Sequence, residues 1–280
     1  MMQSKPWGSF VSPREEGLHA ARRAAEGMLH RFGVRKATHI KIEAFASAMG
    51  LTIVDGQLDG ARARLTRGTK PQIRVSERTP SEAARRFSIA HELGHHVLDH
   101  FGEKPHAVCT DTKPRARSYQ PSKRDLESEA QVFSAEALMP RLMIEKRCVT
   151  SEPSLEIPQT IVAEFKTSLP ASTIRFVELT PERCAVVLSE KGTITWAVRS
   201  PSFKLRIARG KPLDGKTIAA NYFRAGKIGD RPEQIAANAW LNTSADVEIV
   251  EHSLPVSEGG VISLVWVPES SAKSLGMPDR

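Results

Sequence analysis

The stretch Ala90-His91-Glu92-Leu93-Gly94-His95-His96 contains the pattern H-E-x-x-H. On a helix, residues four apart are neighbours on one face, so His91 and His95 can offer ring nitrogens to a single metal ion. Glu92 stands beside them as a carboxylate able to take a proton from a water on that metal and return it to a leaving amine. A catalytic zinc needs a third protein ligand and one open position. The downstream helical stretch from Asp125 to Pro140 offers Glu127, Glu129 and Glu136. If Val132, Ala135 and Met139 mark its buried face, Glu127 projects near that face, and Gln131, one turn on, is placed to orient a ligand histidine. Glu129 lies about 200° away around the helix and is expected in solvent, as the fallback ligand. His96, about 100° from His95, and His100 read as surface or packing histidines. The chemistry that follows is metal-assisted peptide hydrolysis, with zinc as the expected ion and manganese as the alternative.

These residues need rigid elements. Thr79-Pro80-Ser81-Glu82 carries a hydroxyl cap, a proline and an acid, which predicts a helix start, and the helix is expected to run to about Phe101. Phe87, Ile89, Ala90, Leu93, Val97 and Leu98 give it an apolar flank, and Gly94 leaves space beside the ligands. Helices are expected over 14–32 and 41–49 and strands over 51–56 and 72–77, the latter turning Ile73 and Val75 inward. Between the two metal-bearing helices lies a polar stretch, Gly102–Arg124, whose basic part holds Arg115, Arg117, Tyr119, Lys123 and Arg124 as a candidate substrate rim. Tyr119 or His106 is the candidate donor to a tetrahedral oxyanion. Pro153 and Pro158 punctuate a linker, and two helices are expected over 159–179, split at Leu169-Pro170. Beyond Pro181 the pattern turns to strands around a helix-like PEQIAANAWL. The fold class is α+β: a mostly helical zincin-like metallopeptidase domain with a small sheet over 1–150, a short helical segment over 151–180, and an α+β domain over 181–280.

The 280 residues are 40% hydrophobic and 26% charged, enough for sizeable cores. No apolar run approaches the roughly 20 residues that span a bilayer, and the opening MMQSKPWGSFVSPREEG has no apolar signal core, so a cytoplasmic, non-membrane protein is expected. Cys109, Cys148 and Cys184 are odd in number and far apart, which fits a reducing compartment. The formal net charge of +8 lies wholly in residues 1–150, with none in 151–280. Residues 141–180 balance five basic against five acidic residues, too few cations for strong phosphate binding, and direct nucleic-acid binding by the chain is not expected. The basic charge reads instead as an active-site rim facing an acidic substrate.

With its motifs ArgPhe-x-IleAlaHisGluLeuGlyHisHis (86–96) and Glu127-x-Glu129-Ala130-Gln131 leading to AlaLeuMetPro (137–140), the chain resembles the ImmA/IrrE family of metallopeptidase-like proteins. The resemblance implies Glu127 as third metal ligand, a helix-turn-helix-like segment over 159–179, and a GAF-like C-terminal domain. It implies cleavage of a partner repressor that has its own helix-turn-helix, which switches on stress or mobile-element genes. A non-proteolytic regulator or toxin–antitoxin partner, or a DNA-binding transcription factor, are the other roles open to such a scaffold. Gln131 and Ser76 stand where the family often has Asn.

Overall fold

The computed structural model describes residues 12–100, 102, 125–256 and 259–278. Helix α1 (Pro13–Arg31) starts at a capping box: the Ser12 hydroxyl accepts from the Glu15 amide, and the Glu15 carboxylate accepts from the Ser12 amide. A 3-10 turn leads to α2 (Ile42–Ala48) and then to three strands, β1 (Thr52–Gly56), β2 (Ala63–Thr66) and β3 (Gln72–Ser76). Strand β3 is central, parallel to β1 and antiparallel to β2. Ile73 and Val75 are fully buried, as their alternation predicts. Strand β2 was not expected, because four residues give too short a period to read.

Helix α3 (Glu82–Val97) is capped by Ser81, whose hydroxyl accepts from the Ala84 amide at 3.2 Å. Thr79, the expected cap, instead donates to the Ser76 carbonyl and closes the preceding turn. The helix stops at Val97, short of Phe101, because Asp99 takes a left-handed φ of 49° and turns the chain. Arg67 fastens that turn from β2's side, donating to Asp99 Oδ1 at 2.7 Å and to the Gly102 carbonyl at 2.6 Å.

Helix α4 (Leu126–Leu138) begins at Asp125, whose carboxylate accepts from the Ser128 amide at 3.1 Å. It packs between α1 and α3 and is buried on more than one side. Gly94 marks the contact with α3: a Cβ there would come within 3.0 Å of the Phe133 ring, so the glycine makes room for α4 rather than for the ligands.

After α5 (Arg141–Ile144) come α6 (Glu156–Phe165) and α7 (Leu169–Leu179), joined by a turn with Lys166 at φ 55° and Ser168 as cap. Ile161 and Phe165 of α6 enter the first core, while Phe176 and Val177 of α7 face the second sheet. No residue of α7 is exposed. Arg175, on α7, forms a buried ion pair with Glu136 near the end of α4 and donates through Nε to the Met139 carbonyl at 3.1 Å. Because a lysine has no fork to reach both acceptors, Arg175→Lys should lower stability by about 1–3 kcal/mol. An unchanged urea midpoint with unchanged slope would show that the pair adds nothing.

The second sheet is antiparallel, ordered β5-β4-β8-β7-β6, from β4 (Cys184–Glu190), β5 (Thr193–Arg199), β6 (Glu233–Ala236), β7 (Glu248–Val256) and β8 (Gly260–Trp266). Helix α8 (Ile218–Ala225) lies between β5 and β6, and α9 (Glu269–Ala272) follows β8. The helix expected in PEQIAANAWL is instead β6 followed by a 3-10 turn. Its apolar residues repeat too irregularly to hold a helix against the pairing that β7 offers. Glu251, fully buried on β7, ties α8 to the sheet by accepting from the Ile218 and Ala219 amides and from Trp240 Nε1. Burial pushes its carboxyl above the usual range, and the Ser253 and Trp240 bonds oppose that.

Candidate metal centre

Helix α3 presents His91 and His95 one turn apart, and their Nε2 atoms approach to 3.1 Å. Glu127, in the first turn of α4, brings Oε2 to 3.3 Å from His91 Nε2 and Oε1 to 3.6 Å from His95 Nε2. The three side chains thus place donor atoms within 4.8 Å of one another. Both histidines are buried, whereas the Glu127 side chain is 48% exposed, so the cluster has one side open to solvent. Two buried imidazole nitrogens aimed at each other, with a carboxylate beyond them, are a donor set that a divalent ion satisfies. Burial, with His91, His100 and Arg67 nearby, pushes the His95 pKa down to about 2. His95 therefore stays neutral, the form that ligates metal.

That depression has a measurable sign in the metal-free protein. Between about 2 and the ordinary 6.5 the unfolded chain binds a proton at His95 that the folded chain does not. Stability is therefore highest above 6.5 and falls on acidification below it, by up to about 1.4 kcal/mol per pH unit from this group. Urea unfolding of the chelated protein across pH 5–7 reads the slope; a flat profile would mean His95 protonates in place.

Glu92 is fully buried and accepts from the Leu65 amide of β2 at 2.8 Å. The small sheet thereby fixes the carboxylate beside the histidines.

Two residues differ from expectation. His100, read as a surface or packing histidine of α3, lies past the helix end, where the Asp99 turn swings its ring inward. Its side chain is fully buried, with Nδ1 at 2.8 Å from His95 Nδ1 and Nε2 at 3.0 Å from Glu129 Oε2. Glu129, expected in solvent, is fully buried, because α1 covers the face of α4 that a two-helix picture leaves open. A Cβ at Gly17 of α1 would lie 2.2 Å from Glu129 Oε1, so only glycine fits there. The chain His95–His100–Glu129 thus fixes which way the His95 ring faces.

Among the described residues, Gln131 bonds neither ligand histidine, so the orienting role expected of it falls to His100 for His95. Glu136, the third acid on α4, is taken up by Arg175. The rim residues Arg115, Arg117, Tyr119, Lys123 and Arg124, and His106, lie outside the described residues. His96 is half-buried, and its Nδ1 takes no part in the cluster's hydrogen bonds.

Two histidines and a buried glutamate on one helix, a second carboxylate on another, and a small sheet against them make the arrangement of a metallopeptidase-type site. Residues 46–176 match the IrrE N-terminal-like domain, a peptidase family. His91, Glu92, His95 and Glu127 all fall inside the matched segment. The chain also shares its fold with a Mycobacterium tuberculosis transcriptional regulator, at 14% identity and a TM-score of 0.57, over 93% of this chain and 80% of that one. No curated protein matches the chain in sequence.

Proposed function

We propose that the chain is a zinc-dependent endopeptidase that cuts a regulatory protein, a helix-turn-helix transcriptional repressor, and so switches on stress or mobile-element genes. The observation that carries this reading is the convergence of His91, His95 and Glu127 beside a buried, amide-held Glu92. A metal held by those three side chains supplies Lewis acidity to a peptide carbonyl and to the attacking water. Glu92 takes the proton from that water and delivers it to the leaving amine. Its bond from the Leu65 amide keeps the carboxylate aimed while it does so. His100 and Glu129 hold the His95 ring in place throughout.

The C-terminal sheet with its helices supports a GAF-like reading of residues 181–280, and the α6–turn–α7 pair supports a helix-turn-helix-like reading of the middle segment. The buried α7 favours a packing role for that pair over groove reading. No helix of the described residues is long and apolar enough to cross a membrane.

The test incubates the purified chain and a candidate helix-turn-helix repressor with zinc, with manganese, and with a chelator. Discrete fragments that appear with metal and vanish with chelator are expected. A repressor bound but left whole with metal present would replace the peptidase reading by the non-proteolytic one.

A further inference from the structure

The charge of the C-terminal part is unevenly placed. Residues 151–280 carry no net charge, yet 199–231 hold nine Lys+Arg against two Asp+Glu, while 232–280 hold two against seven. The second sheet explains where this stretch sits. One sheet face, with Val186, Ile262 and Leu264, packs on Phe176 and Val177 of α7. The other, with Val187, Val261 and Val265, is covered by Phe203, Ile207 and Ala219. Residues 199–231 therefore form part of the outer layer on the side away from α7, which they share with Trp240, Leu241, Leu275 and Met277. Within it Phe203, Ile207 and Ile218 point inward, and all nine cations stand exposed, Lys204, Arg206, Arg209, Lys211, Lys216 and Lys227 among them.

None of the nine forms an ion pair among the described residues, although Arg67, Arg85, Arg141 and Arg147 elsewhere all do. Like charges gathered in one layer, with only Asp214 and Asp230 against them, repel one another, and a polyanion laid across them relieves that repulsion. The layer lacks what other anionic partners use. The exposed large apolar side chains of the described residues are Leu142 and Val149, both outside it, so it offers no anchor for lipid insertion and no central hot spot for a protein.

We infer that this outer layer docks the phosphate backbone of duplex DNA, independently of base sequence and of the peptidase centre. The cations sit mainly in loops, and α8 is too short, with Arg224 its one exposed cation, to read a groove. Such a surface would hold the chain where DNA-bound proteins are found, whether or not it cuts them.

The test measures anisotropy of a labelled duplex of arbitrary sequence with the full chain across a salt series. Binding in the range of about 10⁻⁶–10⁻⁴ M is expected, weakening steeply with salt. Reversing Lys204, Arg206, Lys216 and Lys227 to Glu should weaken it at least about tenfold and flatten the log–log salt slope by about three to four. Reversing Arg23, Arg35, Lys36 and Lys70, exposed cations of the other part, changes net charge equally and should leave the slope within about one of the original. The proposal is overturned if the duplex does not bind at about 50 mM salt, if both quadruple variants lose equally, or if phosphatidylserine vesicles bind and DNA does not. Because binding is read without any cleavage, it stands or falls apart from the peptidase reading.

Discussion

Glu92→Gln will leave metal content unchanged and lower peptide hydrolysis by about a hundred- to ten-thousandfold. The two halves of that result have separate structural grounds. Metal content survives because His91, His95 and Glu127 form the donor cluster and Glu92 is not part of it. The fold survives because glutamine has the same shape, and its side-chain carbonyl can still accept from the Leu65 amide where Glu92 Oε2 does. What disappears is the base. Metal analysis and unfolding temperature, measured beside the rate on one preparation, separate the effects. A variant that cuts at the original rate would remove Glu92 from proton transfer; one that loses metal would make it a ligand.

The second large effect falls on metal affinity, from residues that touch no metal. His100→Ala and Glu129→Ala should each weaken binding by about 10- to 100-fold in chelator competition. Without His100 Nδ1 at 2.8 Å, His95 Nδ1 loses that bond, and the ring turns among orientations of which few aim Nε2 at His91. Cobalt substitution gives a second readout, because the visible spectrum reports ligand geometry and not merely folding. His100→Gln, which can still hydrogen-bond His95, should recover part of the affinity. His96→Ala, one residue from His95 and outside this chain of bonds, should recover the full value. If the His100 and His96 variants bind metal alike, the chain of bonds has no positioning role.

The parts of this site that were legible in the sequence are those set by local geometry. A spacing of four on a helix determines the His91–His95 pairing whatever surrounds it. Glu127 and the inward Ile73 and Val75 likewise followed from periods of 3.6 and 2. Glu129 and His100 were misread because their positions depend on a third helix and on one backbone angle. Helical-wheel reasoning assigns a buried and an open side to α4, but α1 occupies the side it leaves open. Continuing α3 to Phe101 keeps His100 on the helix surface, whereas the left-handed Asp99 redirects it to His95. The basic stretch is hidden differently: averaging charge over 151–280 cancels the nine cations of 199–231 against the acids of the remainder.

Gly17 and Arg14 carry one more consequence. Both belong to α1, which precedes the matched family segment beginning at residue 46. Yet Gly17 forms the wall behind Glu129, and Arg14, itself buried, reaches the Asp125 carboxylate that caps α4 at 3.4 Å. The stretch that matches the family is therefore smaller than the stretch that must fold together. A fragment trimmed to the recognisable part would keep every ligand and lose the buttress behind them.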